Sequence, residues 1–195
     1  MRAVKIKIGE SWGSRPDRDL ERVHQARDEI GPGVQLFVDA NGGYGVGQAV
    51  RLATALDAAD VRWLEEPVSS DDLPGLRTVR DHTLADVAAG EYGDSLDYFH
   101  RLCAADAVDC VQVDMTRCGG VTELLRIAAV AAAASSTCRA TARPTSTHRC
   151  WPPSRTCAIS STPRTTCASS GCSSTGPRRR EPESSPFPVT APATA

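Results

Sequence analysis

Two hydrophobic periods alternate along the first two thirds of the chain. Val4-Lys5-Ile6-Lys7-Ile8 has period two, which predicts a strand with Lys5 and Lys7 on one face. Pro16 to Ile30 has helical spacing, with Leu20, Val23, Ala26 and Ile30 as its apolar stripe and Gly31 where a C-terminal cap belongs. The periods then keep alternating. Strands are predicted at Val34 to Val38, Val61 to Leu64, Ala85 to Ala89 and Val108 to Val113. Helices are predicted at Val46 to Ala59, Leu73 to Asp81, Ser95 to Ala105 and Val121 to about Ala134. Strict strand–helix alternation with short loops predicts a parallel sheet with right-handed crossovers.

Several of these strands end in charge. Val34 to Val38 runs into Asp39-Ala40-Asn41, Val61 to Leu64 into Glu65-Glu66-Pro67, and Ala85 to Ala89 into Gly90-Glu91. The three acids follow one another at intervals of about 25 residues. A fourth strand ends in Asp114. In a parallel barrel the C-terminal strand ends share one mouth, where the active site lies. Asp39, Glu65 and Glu91 would converge there. Three carboxylates together repel unless a cation sits among them, and hard oxygen ligands suit Mg²⁺. Any one acid alone reads equally as a helix cap or loop charge; the repetition is the signal. Glu66 is an alternative to Glu65, though alternation turns only one of the pair inward. Lys5 and Lys7, taken alone, also fit the solvated face of an edge strand.

Composition divides the chain. Residues 1–134 hold 14 Lys+Arg against 22 Asp+Glu, whereas residues 135–195 hold 8 Arg, no Lys and 2 Glu. After Leu125 there is no Leu, Asp, Lys, Asn, Gln, Tyr or Met. A segment without Leu or periodicity does not build an ordinary core. The expected architecture is therefore a partial (β/α)8 barrel of about five βα units over residues 1–134, followed by a disordered tail over residues 135–195. A complete eight-stranded barrel needs roughly 250 residues, and the chain has 195. The start at Met1 leads directly into a strand and no long apolar run occurs, so a cytoplasmic protein without a membrane partner is expected. Cys103, Cys110, Cys118, Cys138, Cys150, Cys157, Cys167 and Cys172 contain no CxxC pair and do not read as a zinc site or disulfide framework. Arg178-Arg179-Arg180 is a short basic run with little aromatic interleaving, which reads as solvated charge rather than a nucleic-acid site.

Lys5-Ile6-Lys7, Val38-Asp39-Ala40-Asn41, Leu64-Glu65-Glu66-Pro67, Ala89-Gly90-Glu91 and Val113-Asp114, followed by Thr116-Arg117-Cys118-Gly119-Gly120-Val121-Thr122-Glu123, resemble the enolase superfamily. The resemblance is to the second through sixth barrel strands of its mandelate racemase-like branch. It implies Mg²⁺ ligands at Asp39, Glu65 and Glu91, with Asn41 supporting them. It implies that Lys7 removes the proton α to a carboxylate, with Lys5 lowering the basicity of Lys7 and holding the substrate carboxylate. Asp114 would orient a histidine on the next strand, the base for the opposite face. A small-molecule hydroxy acid or acid sugar is the implied substrate, racemisation or dehydration the implied reaction, and a homo-oligomer the implied assembly. The alternative is a catalytically inactive fragment that at most binds a divalent metal.

The chain departs from this pattern where the histidine is due. His148 is the nearest, and its surroundings do not read as a strand tip. The capping domain and first strand of the family also have no counterpart. A frameshift near residues 131–135 accounts for the odd composition. Codons read two bases later from Ser135 to His148 permit LDVSGHCAPHLHA, which resembles the family's seventh strand with its histidine.

Overall fold

The computed structural model describes residues 3–134, 136–141 and 157–160. Among them, one wholly parallel sheet runs in chain order: β1 (Ala3–Lys7), β2 (Gln35–Asp39), β3 (Val61–Glu65), β4 (Asp86–Ala89), β5 (Cys110–Asp114), β6 (Thr137–Thr141) and β7 (Cys157–Ser160). The crossovers are the single turn α1 (Glu10–Gly13), then α2 (Pro16–Ile30), α3 (Val46–Ala58), α4 (Leu73–Arg80), α5 (Leu96–Ala104) and α6 (Val121–Ala133). Five strands thus alternate with helices as a partial barrel, the class the periodicity predicts. No helix among the described residues is long and apolar enough to cross a membrane.

The helices begin and end where local chemistry directs. Asp72 caps α4 by accepting from Gly75 N at 2.9 Å, and Ser95 caps α5 by accepting from Tyr98 N at 3.4 Å. Gly31, at φ 71°, ends α2. Arg27, in the last turn of α2, donates to the carbonyls of Gly31, Val34, Ala59 and Asp60 at 2.7–3.0 Å. One guanidinium therefore joins the N-terminal ends of β2 and β3.

Alternation sends each strand's two faces to different places. Val38, Leu64, Val87 and Val111 meet Leu56, Leu76, Phe99, Leu102 and Ile127 from the helices in the main core. Each side chain fully buried there contributes about 1.5–3 kcal/mol. The other face carries Phe37, Trp63, Ala88 and Cys110 in a smaller cluster, with the Phe37 and Trp63 rings 5.9 Å apart. Register puts Lys5 beside Phe37 and Lys7 beside Asp39, and Asp39 in turn beside Glu65. This inner face delivers the charged residues to one end of the sheet.

Two strands fall where the composition led us to expect no structure. β6 pairs along the full length of β5, and β7 along β6. Backbone groups on an open sheet edge accept any extended segment, so such pairing needs no apolar period. Residues 135, 142–156 and 161–195, including His148 and the arginines at 178–180, lie outside the described residues.

Candidate active site

The site is assembled from the C-terminal ends of β1, β2, β3 and β4. Two glycines make the close approach possible. A Cβ on Gly9 would stand 2.7 Å from Ala40 O, and one on Gly90 would stand 2.7 Å from Gln112 O. Both have positive φ, so both positions favour glycine twice over. The loop tips are then stitched by backbone bonds of 2.8–2.9 Å from Ile8 N to Asp39 O, Ala40 N to Glu65 O, Gly42 N to Glu66 O and Glu66 N to Ala88 O.

Glu65 is the hub. It is 1% exposed and accepts from Lys5 Nζ at 2.7 and 3.0 Å, Trp63 Nε1 at 3.0 Å and Gln112 Nε2 at 3.0 Å. Burial works against its charge, but the Lys5 ammonium and hydrogen bonds with Trp63 and Asp39 hold its pKa below the ordinary value. Asp39, equally buried, is ion-paired with Lys7 and lies 3.5 Å from Lys5 Nζ. Burial and the Glu65 charge push its pKa up, against the pull of Lys7. The two carboxyl groups lie close enough to hydrogen-bond one another and titrate as a unit. Lys7 also donates to Asn41 Oδ1 at 2.5 Å, and Asn41 Nδ2 reaches Glu91 Oε1 at 3.4 Å. Burial, Glu65 and Asp39 raise the Glu91 pKa. Lys5, Lys7, Asp39, Asn41, Glu65 and Glu91 therefore form one constellation, and Lys5 and Lys7 are the only lysines in the chain.

Asp114 stands apart from it. Its carboxylate accepts from Thr116 N at 2.7 Å and Thr116 Oγ1 at 2.6 Å, with Arg117 Nε at 3.8 Å. Its own loop holds it.

With no cation among these carboxylates, the Lys7 pKa is raised. Burial pulls it down, but the Asp39 hydrogen bond and the charges of Asp39, Glu65 and Glu91 together outweigh burial. Three acids nearby count for more than one neighbouring lysine.

Two participants were not singled out from the pattern. Trp63 and Gln112 each lie two residues before a strand-end acid, so period-two alternation already placed them on the inner face. Glu66 follows the last residue of β3 and is 2% exposed. Its backbone is left-handed at φ 42°, and its Oε1 has no hydrogen-bond partner. Burial and the charges of Glu91, Asp39 and Glu65 push its pKa up to about 8.

The donor set is chemically suited to a hard divalent cation: carboxylate oxygens on adjacent strand tips, with more negative charge than two lysines neutralise. Among the described residues, no three acid, histidine or cysteine side chains surround a common point. Lys5 and Lys7 balance the charge of Asp39 and Glu65 instead.

A family described as Enolase C-terminal domain-like matches residues 1–162. The 3,6-anhydro-alpha-L-galactonate cycloisomerase of Streptomyces coelicolor is 39% identical over 137 residues, which cover 68% of this chain and 36% of that protein. Thus the chain spans about a third of the length of this curated relative. Other relatives include sugar-acid dehydratases and epimerases. The crystal structure of a mandelate racemase/muconate lactonizing enzyme-like protein from Rubrobacter xylanophilus superposes with a TM-score of 0.68 at 42% identity, covering 74% of this chain and 39% of that one. An enolase from Bradyrhizobium, complexed with magnesium and mandelic acid, superposes with a TM-score of 0.67 at 31% identity, covering 72% and 38%.

Proposed function

The chain belongs to the Enolase C-terminal domain-like family, and on that premise we propose that it carries the proton-abstracting half of a Mg²⁺-dependent site for α-hydroxy carboxylates of the acid-sugar class. One observation carries this reading: the chain's two lysines ion-pair with Asp39 and Glu65 at adjacent strand ends, with Glu91 beside them. In this reading Asp39, Glu65 and Glu91 hold the metal, and Asn41 keeps Glu91 and Lys7 in place. A bound divalent cation supplies positive charge that offsets the carboxylates and polarises a substrate oxygen. Lys5 binds the substrate carboxylate. Lys7 takes the proton from the α-carbon, and its neutral amine is the competent form. Trp63 and Gln112 orient Glu65 from within the barrel. In the family pattern Asp114 would orient a histidine on the next strand, and β6 holds none.

Solvent exchange of the substrate α-proton tests this reading. With Mg²⁺, a panel of acid sugars in D₂O is expected to exchange, and Lys7→Ala to slow exchange about 100-fold or more. Removing metal with EDTA abolishes it. Magnesium binding by calorimetry without any exchange would replace this reading with the second one, an inert metal-binding chain. The position of Asp114, held by its own loop, favours that alternative.

The same reading treats residues 1–134 as the barrel unit and the codons beyond as out of frame. Support comes from the sheet register, which sets Thr141 beside Asp114. The first of the three histidine codons of the shifted frame spans the codons of Ala140 and Thr141. Sequencing the coding DNA across codons 125–150 is expected to show a one- or two-base insertion or deletion relative to a frame encoding the histidine strand. A shifted frame that encodes no such strand would refute the proposal.

A further inference from the structure

Asp19 has no part in the site just described, yet it is the most completely buried charged residue among those described, at 0% exposure. A carboxylate so placed needs several donors to offset its lost hydration. Asp19 has them. Oδ2 accepts from Tyr44 OH at 2.7 Å, Gly9 N at 3.0 Å and Glu10 N at 3.2 Å. Tyr44 OH, itself nearly buried, accepts from Gly9 N at 2.9 Å. Arg22 NH1 reaches Asp19 Oδ1 at 3.4 Å and Glu10 Oε2 at 3.5 Å, while its other terminal nitrogen donates to Lys7 O.

The targets of this network share a location. Every backbone group it holds lies from residue 7 to residue 10, at the point where β1 ends. On the opposite side the same segment meets β2, through Ile8 N on Asp39 O and the tight packing of Gly9 against Ala40. The peptide that carries the Lys7 side chain is thus clamped between α2 and β2. A network serving general stability would have no reason to converge on one strand end.

We propose that Asp19 is a positioning residue for Lys7, acting through the Gly9–Glu10 backbone and, with Tyr44 and Arg22, fixing where the Lys7 amine stands. This rests on the reading of Lys7 as the proton-abstracting group. The Lys7 side chain is fixed at its amine by Asp39 and Asn41 and at its root by this clamped backbone, and a misplacement of about 1 Å is worth about 100-fold in rate.

The test uses the whole chain labelled selectively at lysine with ¹³C and ¹⁵N. With only two lysines, the side-chain spectrum holds two signals that Lys5→Arg assigns. Asp19→Asn, which keeps the shape and removes the charge, is expected to move the Lys7 signal toward that of a free lysine and leave the Lys5 signal in place. An unmoved Lys7 signal in a folded Asp19→Asn chain overturns the proposal, as does an equal shift of both signals. Should Asp19→Asn fail to fold, Tyr44→Phe is judged by the same two signals. The readout needs neither metal nor turnover. A wild-type chain that exchanges no substrate proton therefore removes the catalytic reading and leaves the Lys7 signal to decide the clamp.

Discussion

Replacing Glu65 with alanine is expected to lower the stability of the chain by about 3–5 kcal/mol, read as a fall in the urea midpoint. The loss has separable sources. Lys5 loses its nearest partner, keeping only Asp39 at 3.5 Å. Trp63 Nε1 and Gln112 Nε2, both on buried residues, lose the acceptor they share. Each donor left bare costs about 1–3 kcal/mol. A cavity opens at the strand tip as well. Glu65→Gln keeps the volume and one acceptor oxygen, so its loss should be smaller. If Glu65→Ala stayed within about 1 kcal/mol of wild type, Glu65 could not be the hub of the strand ends.

The neighbouring carboxylate should behave in the opposite way. Glu66→Gln is expected to stabilise the metal-free chain at pH 8 by about 2–4 kcal/mol. The sign follows from the direction of the shift. Burial, with the charges of Glu91, Asp39 and Glu65, raises the Glu66 pKa from 4.5 to about 8. A group raised in the folded state contributes its full stability below pH 4.5, where both states are protonated. That contribution is lost as pH rises towards 8, at up to about 1.4 kcal/mol per pH unit. Glutamine has no proton to lose, and its carbonyl can still accept from the Gly90 amide. Urea unfolding in EDTA at pH 5 and pH 8 measures the difference between wild type and variant. It should grow with pH. A constant difference would mean that Glu66 ionises without penalty, contrary to its burial.

These two adjacent acids show what the amino-acid pattern revealed and what it did not. Alternation placed Glu65 on the face it shares with Trp63, because side-chain direction in a strand is a local property. The acids at the strand ends, the lysine pair and the helix boundaries were legible for the same reason. The burial of Glu66 was not legible. It depends on a left-handed backbone and on packing at the tips of β2 and β4, both tertiary facts. The direction of the Lys7 shift was not legible because it is a sum over Asp39, Glu65 and Glu91, all brought to it from other strand ends. Asp19 lies in the first turn of a helix, where negative charge is favourable anyway, so its position gives no sign of burial. β6 and β7 escaped notice because backbone pairing leaves no mark on composition.

The confinement of both lysines to β1 has a practical corollary. A lysine-specific protease has no target in the 195 residues except after positions 5 and 7, and amine-directed acylating reagents find only these two side chains and the α-amino group. Cleavage there requires β1 to leave its place beside β2. The rate of cutting at these two sites therefore reports how often this strand detaches and takes both candidate catalytic amines with it.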